Sequence, residues 1–120
     1  MSRLLDEDAL QSLLTAVGRD EGALSRFARD FVSMWTTRVE RLETALARPD
    51  AEEAHVVLLS IRSSSRMIGA QVVEATASLM HSALDRGDLA GCAMHLGRLA
   101  QVGGETTTEL EHRFGLVSHV

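Results

Sequence analysis

A chain of 120 residues and 13.0 kDa has room for one domain, since single domains usually run to about 100–200 residues, and this excludes a multidomain enzyme. Hydrophobic residues make up 45% and charged residues 24% of the chain, with mean hydropathy +0.02, a globular balance rather than that of a disordered polymer. Twelve arginines against seventeen acids leave a net charge of -5, the wrong sign for a domain that gains affinity by neutralising nucleic-acid phosphates.

The first amphipathic segment carries Leu5, Ala9, Leu10, Leu13, Leu14 and Val17 at helical spacing. Asp6, Glu7 and Asp8 sit near its start, where the helix dipole favours acids, and Gly18 follows its end. From about Asp20 a long helix is predicted, with Leu24, Phe27, Phe31, Trp35, Val39, Leu42 and Leu46 on one stripe and a stop at Arg48-Pro49-Asp50. Asp50 caps a third helix with Glu53 three residues on, a capping-box spacing. Its stripe of Ala54, Leu58, Ile61, Ser65 and Ile68 runs to Gly69.

A fourth helix is expected from near Ala70, with Val72 or Val73, Thr76, Leu79 or Met80, and Ala83 inward, up to Arg86-Gly87-Asp88. The fifth begins at Asp88 and carries Leu89, Cys92, Leu96, Leu99 and Leu110. Gly103-Gly104 before three threonines predicts a kink or split there, because each glycine costs a helix interior about 1 kcal/mol relative to alanine. Short connections between the later helices predict an all-α fold, an up-down antiparallel four-helix bundle with a short extra N-terminal helix packed across one end. The domain is expected over residues 1–115, with a tail at 116–120.

The chain has no lysine, which removes Schiff-base and P-loop chemistry. Its single cysteine, Cys92, has no intrachain disulfide partner and suits a reducing compartment. No run approaches the roughly 18–20 apolar residues of a spanning helix, and the first residues lack the basic-then-apolar order of a signal peptide. A cytoplasmic chain without a membrane partner is expected.

Two Glu-x-x-His pairs, Glu52 with His55 and Glu109 with His112, match the spacing of di-iron bundles. In an up-down bundle they would lie about 28 Å apart along the axis at 1.5 Å per residue, too far for one site. His55, His81, Cys92 and His95 form a zinc-type ligand set in composition. The helical wheel places the three histidines at flanking or exposed positions and Cys92 inward, so neither a metal nor a cofactor is expected. No serine or cysteine lies in a nucleophile elbow or papain-like context, so an enzyme is not expected either.

The segment Leu59-Ser60-Ile61-Arg62-Ser63-Ser64-Ser65-Arg66-Met67-Ile68-Gly69-Ala70 resembles the signature of histidine-containing phosphotransfer (HPt) domains of two-component phosphorelays. That signature is a histidine, an apolar residue two positions on, lysine at the third, glycine at the fourth, two small residues and an apolar-Gly-Ala ending. Aligned on Ile68-Gly69-Ala70, Ile61 fills the apolar position, Arg62 replaces the lysine, Ser63 replaces the glycine, and Ser64-Ser65 match the small pair. Leu59 falls where the phosphoaccepting histidine belongs. The acidic lead helix, the long aromatic helix and the Arg-Gly-Asp turn extend the resemblance over most of the chain.

A leucine has no nucleophilic nitrogen and cannot carry a phosphoryl group. The resemblance therefore implies an HPt-like module without the usual relay chemistry, binding a response-regulator receiver domain or a histidine kinase through His55, Leu59, Arg62, Ser63 and Arg66. One alternative is active transfer through His55, although Leu58 and Leu59 then stand where the family has lysine and glycine. Another is a helical oligomerisation or adaptor domain.

Overall fold

The structure, a computed structural model, describes residues 3–116. It is all-helical apart from one isolated bridge, with α1 at Glu7–Ala16, α2 at Glu21–Ala47, α3 at Ala51–Ile68, α4 at Gln71–Asp85, α5 at Leu89–Met94 and α6 at Leu96–Phe114. Of the tail expected at 116–120, residues 117–120 lie outside the described residues. The 27 residues of α2 span about 40 Å at 1.5 Å per residue, which accounts for the 42 Å long axis of the molecule. α2 packs on α3 and α6, and α4 packs on the same two helices, so each of these four has two large neighbours.

Aspartates set the helix starts. Asp6, Asp20, Asp50 and Asp88 each accept a backbone N–H of the first turn, from Asp8, Ala23, Glu53 and Gly91, which satisfies donors that have no partner inside the helix. The capping box expected at Asp50 is only half formed. Asp50 accepts from the Glu53 N–H, but the Glu53 carboxylate takes Arg41 of α2 instead of returning to the cap. The Asp50 N–H donates to Ala45 O at 2.7 Å.

Gly69 ends α3 with φ +75°, and a β-carbon there would lie 2.8 Å from Asp6 O. That contact arises because residues 4–6 run alongside the α3–α4 turn. Asp6 N donates to Gly69 O at 2.8 Å and Gln71 N donates to Leu4 O at 3.2 Å, and Leu5 and Ala70 form the bridge. The glycine of the Ile68-Gly69-Ala70 sequence thus meets two demands, a left-handed turn and a backbone crossing above it. At the other end of α1, Glu7 pairs with Arg113 in the last turn of α6. Hydrogen bonding to that guanidinium holds the Glu7 carboxyl below its ordinary 4.5.

The α3 stripe is buried as predicted, and on α4 Val73, Thr76, Met80 and Ala83 face in. Two expectations fail. Phe27, placed in the α2 core, is 36% exposed, and Ala28 is buried in its place. The last helix is continuous through Gly103-Gly104; the interruption falls at His95, whose N–H bonds back to Cys92 O over three residues instead of four. Gly103 is a packing residue. Trp35 of α2, stacked on Phe31 with ring centroids 5.7 Å apart, lies over it so closely that a β-carbon would come within 1.7 Å of the indole.

Gly103→Ala is therefore expected to destabilise the fold by about 1–3 kcal/mol through overpacking. Gly104→Ala, with nothing within 4 Å of the added carbon, should stabilise it by about 0.5–1 kcal/mol through helix propensity. Urea denaturation of the two variants beside the native chain checks the opposite signs.

Candidate functional site

Burial of Ala54, Leu58, Ile61, Ser65 and Ile68 fixes the rotation of α3 about its axis, and everything else on the helix takes its direction from that. Leu59, 51% exposed, and Ser63 point to solvent. On one flank, Ser64 and Met67 meet Phe27, Phe31 and Met34 of α2 along a groove of about 220 Å³. On the other flank, His55, Arg62 and Arg66 turn toward α4. Arg66 pairs with Glu74 at 3.3 Å.

Arg62 Nη1 lies 2.8 Å from His81 Nδ1, and His81 Nε2 lies 2.8 Å from His55 Nδ1. A guanidinium has donors only, so His81 Nδ1 must accept. The proton of a neutral His81 then sits on Nε2 and is donated to His55. His55 Nδ1 is an acceptor in turn, and the proton of a neutral His55 is left on its Nε2. One cation at the head of the chain thereby sets the tautomer of both imidazoles. The rings meet edge to face, 4.3 Å between centroids at 70°, and Asp85 Oδ1 stands 3.8 Å from His55 Nδ1.

Arg62 is poorly held for a half-buried cation. Its Nε, and Ser65 Oγ one turn along α3, are buried without a hydrogen-bond partner among the described residues, a loss of about 1–3 kcal/mol for each such group. Its one strong contact is to an uncharged ring.

The structure brings together two of the histidines that the wheel left at flanking or exposed positions. His81 is 5% exposed, not flanking, because Arg62 and His55 of α3 satisfy both of its nitrogens and make its burial tolerable. Burial first, then the neighbouring His55, holds the His81 pKa below its ordinary 6.5; Asp85 opposes the shift and Arg62 adds to it. His95 is half-buried and Cys92 fully buried, with burial and then Asp88 pushing the thiol pKa upward. Among the described residues, one set of three possible metal ligands converges, His55, His81 and Asp85, with ligand atoms within 4.8 Å of one another. Neither Cys92 nor His95, nor the Glu109–His112 pair, belongs to it. Asp85 gave no signal in the sequence beyond standing four residues after His81, one turn along the same helix. No helix among the described residues is long and apolar enough to cross a membrane.

No protein-family model and no curated protein matches the chain. Its fold does match solved structures. The histidine-containing phosphotransfer protein B (HptB) of Pseudomonas aeruginosa superimposes with TM-score 0.86 at 18% identity, over 98% of this chain and 100% of that one. A putative histidine-containing phosphotransfer protein from rice gives 0.80 at 20% identity, over 95% and 81%. The HPT domain of a hybrid sensor histidine kinase from Shewanella gives 0.75 at 14% identity, over 92% and 95%. At these identities the likeness establishes the fold, which is that of histidine-containing phosphotransfer proteins.

The lowered pKa of His81 has a definite sign in stability. Between the folded value and 6.5 the unfolded chain binds more protons at this residue than the folded chain does, so stability rises with pH in that window. The contribution is lost as pH falls below about 6.5 and is flat above it. His81→Gln keeps an acceptor for Arg62 and a donor for His55 but does not titrate. Urea melts between about pH 7.5 and 5.5 should show the native chain losing more stability than the variant.

Proposed function

We propose that the chain is an HPt-like signalling module, a single domain over residues 1–115, that binds a response-regulator receiver domain or a histidine kinase without itself carrying the phosphoryl group. On this reading α2, α3, α4 and α6 are the up-down bundle of that fold and α1 is its extra helix. The observation that carries the proposal is Leu59. It stands exposed at the outward centre of α3, at the position where the resemblance places the phosphoaccepting histidine, with the small Ser63 one turn away leaving clearance for a partner. An apolar centre at such a place favours docking and offers no lone pair for phosphoryl chemistry.

The rim of that face differs from an open ring of cations. Arg62 is committed to His81 and Arg66 to Glu74, so the apolar contact rather than a free positive charge is expected to supply most of the affinity. Phe27, Met34 and Met67 extend the apolar surface toward α2.

Transfer through His55 is disfavoured by the proton order along α3 and α4. Its Nδ1 lone pair is taken by the His81 N–H, and its Nε2 carries a proton when the ring is neutral, so neither nitrogen is a ready nucleophile while Arg62 holds His81.

The purified chain, mixed with a phosphorylated receiver or an active kinase, is expected to stay unlabelled, and Leu59→His to acquire acid-labile label. Label on the native chain that disappears in His55→Ala would overturn the reading. Leu59→Arg should weaken receiver binding by about tenfold or more. Unchanged binding in that variant would remove the docking face and leave an adaptor domain of another kind.

A further inference from the structure

His55 Nδ1 and His81 Nε2 point at one another across the α3–α4 seam at 2.8 Å, and the Asp85 carboxylate completes a triangle with all three ligand atoms within 4.8 Å. Four-coordinate zinc holds imidazole nitrogens at about 2.0–2.1 Å, so two such ligands stand about 3.3 Å apart around the ion. To accept one, the pair needs to open by about half an ångström and the two rings to turn so that their lone pairs meet at the ion, with the exposed Asp85 carboxylate drawing in beside them. His81 and Asp85 are four residues apart on α4, one helical turn, and His55 approaches from α3, so the three ligands come from two packed helices rather than from a loop. The carboxylate side faces an open hollow lined by Glu52, His55, Leu84 and Asp85, which gives an ion a path in and leaves a fourth position for water.

We propose that His55, His81 and Asp85 form a divalent-metal site, with zinc the best-matched ion, and that filling it expels Arg62 from the seam. The expulsion follows from proton positions. Coordination requires the lone pair of His81 Nε2, so the proton of the neutral ring moves to Nδ1, and that nitrogen then faces the Arg62 N–H at 2.8 Å as donor against donor. No proton leaves the protein; the tautomer changes. Arg62 is already short of partners at its buried Nε, so its departure costs one bond to a neutral ring and restores hydration to a half-buried cation. It also removes a positive charge from beside the metal. The site stands whether or not the docking reading holds. If that reading does hold, the ion places a free guanidinium beside Leu59 and Ser63.

The test uses the metal-free, tag-free chain, with zinc binding followed by calorimetry and with cobalt as a spectroscopic probe of four-coordination. One ion per chain is expected, with a dissociation constant of about 10 µM or tighter. His55→Ala and Asp85→Asn should each weaken binding by about tenfold or more. Asp85 is exposed, and metal-free Asp85→Asn should melt as the native chain does, whereas metal-free His55→Ala, which leaves the buried His81 N–H without its acceptor, should melt at a lower temperature while staying folded. Arg62→Met removes the competitor for His81 and should bind zinc more tightly than the native chain, an effect that a surface-bound ion would not show. Absence of binding below about 100 µM, binding that survives both ligand substitutions, or weaker binding by Arg62→Met would each overturn the site.

Discussion

Helix α3 has no freedom to turn about its own axis, and the functional geometry rests on that constraint. Five residues, Ala54, Leu58, Ile61, Ser65 and Ile68, are shut into the core. The C-terminal end is fixed independently, since Gly69 carries the crossing of residues 4–6 and no β-carbon fits beneath Asp6 O. A helix held by its buried stripe and by one end presents its remaining residues in fixed directions. Leu59 and Ser63 face out, Ser64 and Met67 border α2, and His55, Arg62 and Arg66 border α4. Rotation by one residue would break the core and the crossing together.

The α4 border depends on a second constraint, that a guanidinium donates and never accepts. Because Arg62 heads the chain, each imidazole along it has one possible role at each nitrogen. Such a chain satisfies His81 in a place where a lone histidine would be costly. It is also brittle, for it has a single stable direction. Whatever reverses the proton order, an ion on Nε2 of His81 or a proton on Nδ1, must break the contact to Arg62 first.

Much of the fold was legible in the sequence because its signals are local. Asp20, Asp50 and Asp88 start helices, Pro49 and Gly69 stop them, and the α3 stripe reads directly from its spacing. The failures share a cause. Gly103-Gly104 reads as a weak point from propensity, yet Gly103 is explained by Trp35, 68 positions earlier on another helix. His81 reads as a flanking residue because a wheel ranks imidazole as polar, and its partners Arg62 and His55 lie 19 and 26 residues away. Phe27 reads as core by bulk, whereas the packed helices close over the smaller Ala28. In each case the deciding atom belongs to a different helix. Within the candidate site, the outward placement of Leu59 and Ser63 was visible on one helix, whereas the turn of Arg62 from that face toward His81 and the convergence of His55, His81 and Asp85 were not.

A phosphoacceptor and an internal proton chain need imidazole lone pairs in incompatible ways. A phosphoacceptor needs an imidazole with one nitrogen protonated and anchored and the other lone pair aimed at the partner. Along the α4 border the lone pairs are turned inward instead, one toward Arg62 and one toward His81, and the outward centre of the helix is occupied by leucine. An imidazole cannot serve the buried chain and an external phosphoryl group with the same nitrogen. If this domain docks on phosphorelay partners, it meets them with an apolar centre. His55 and His81 belong to the internal seam, where their lone pairs face Arg62 and each other and where a proton or, on the proposal above, a metal ion would have to displace those contacts.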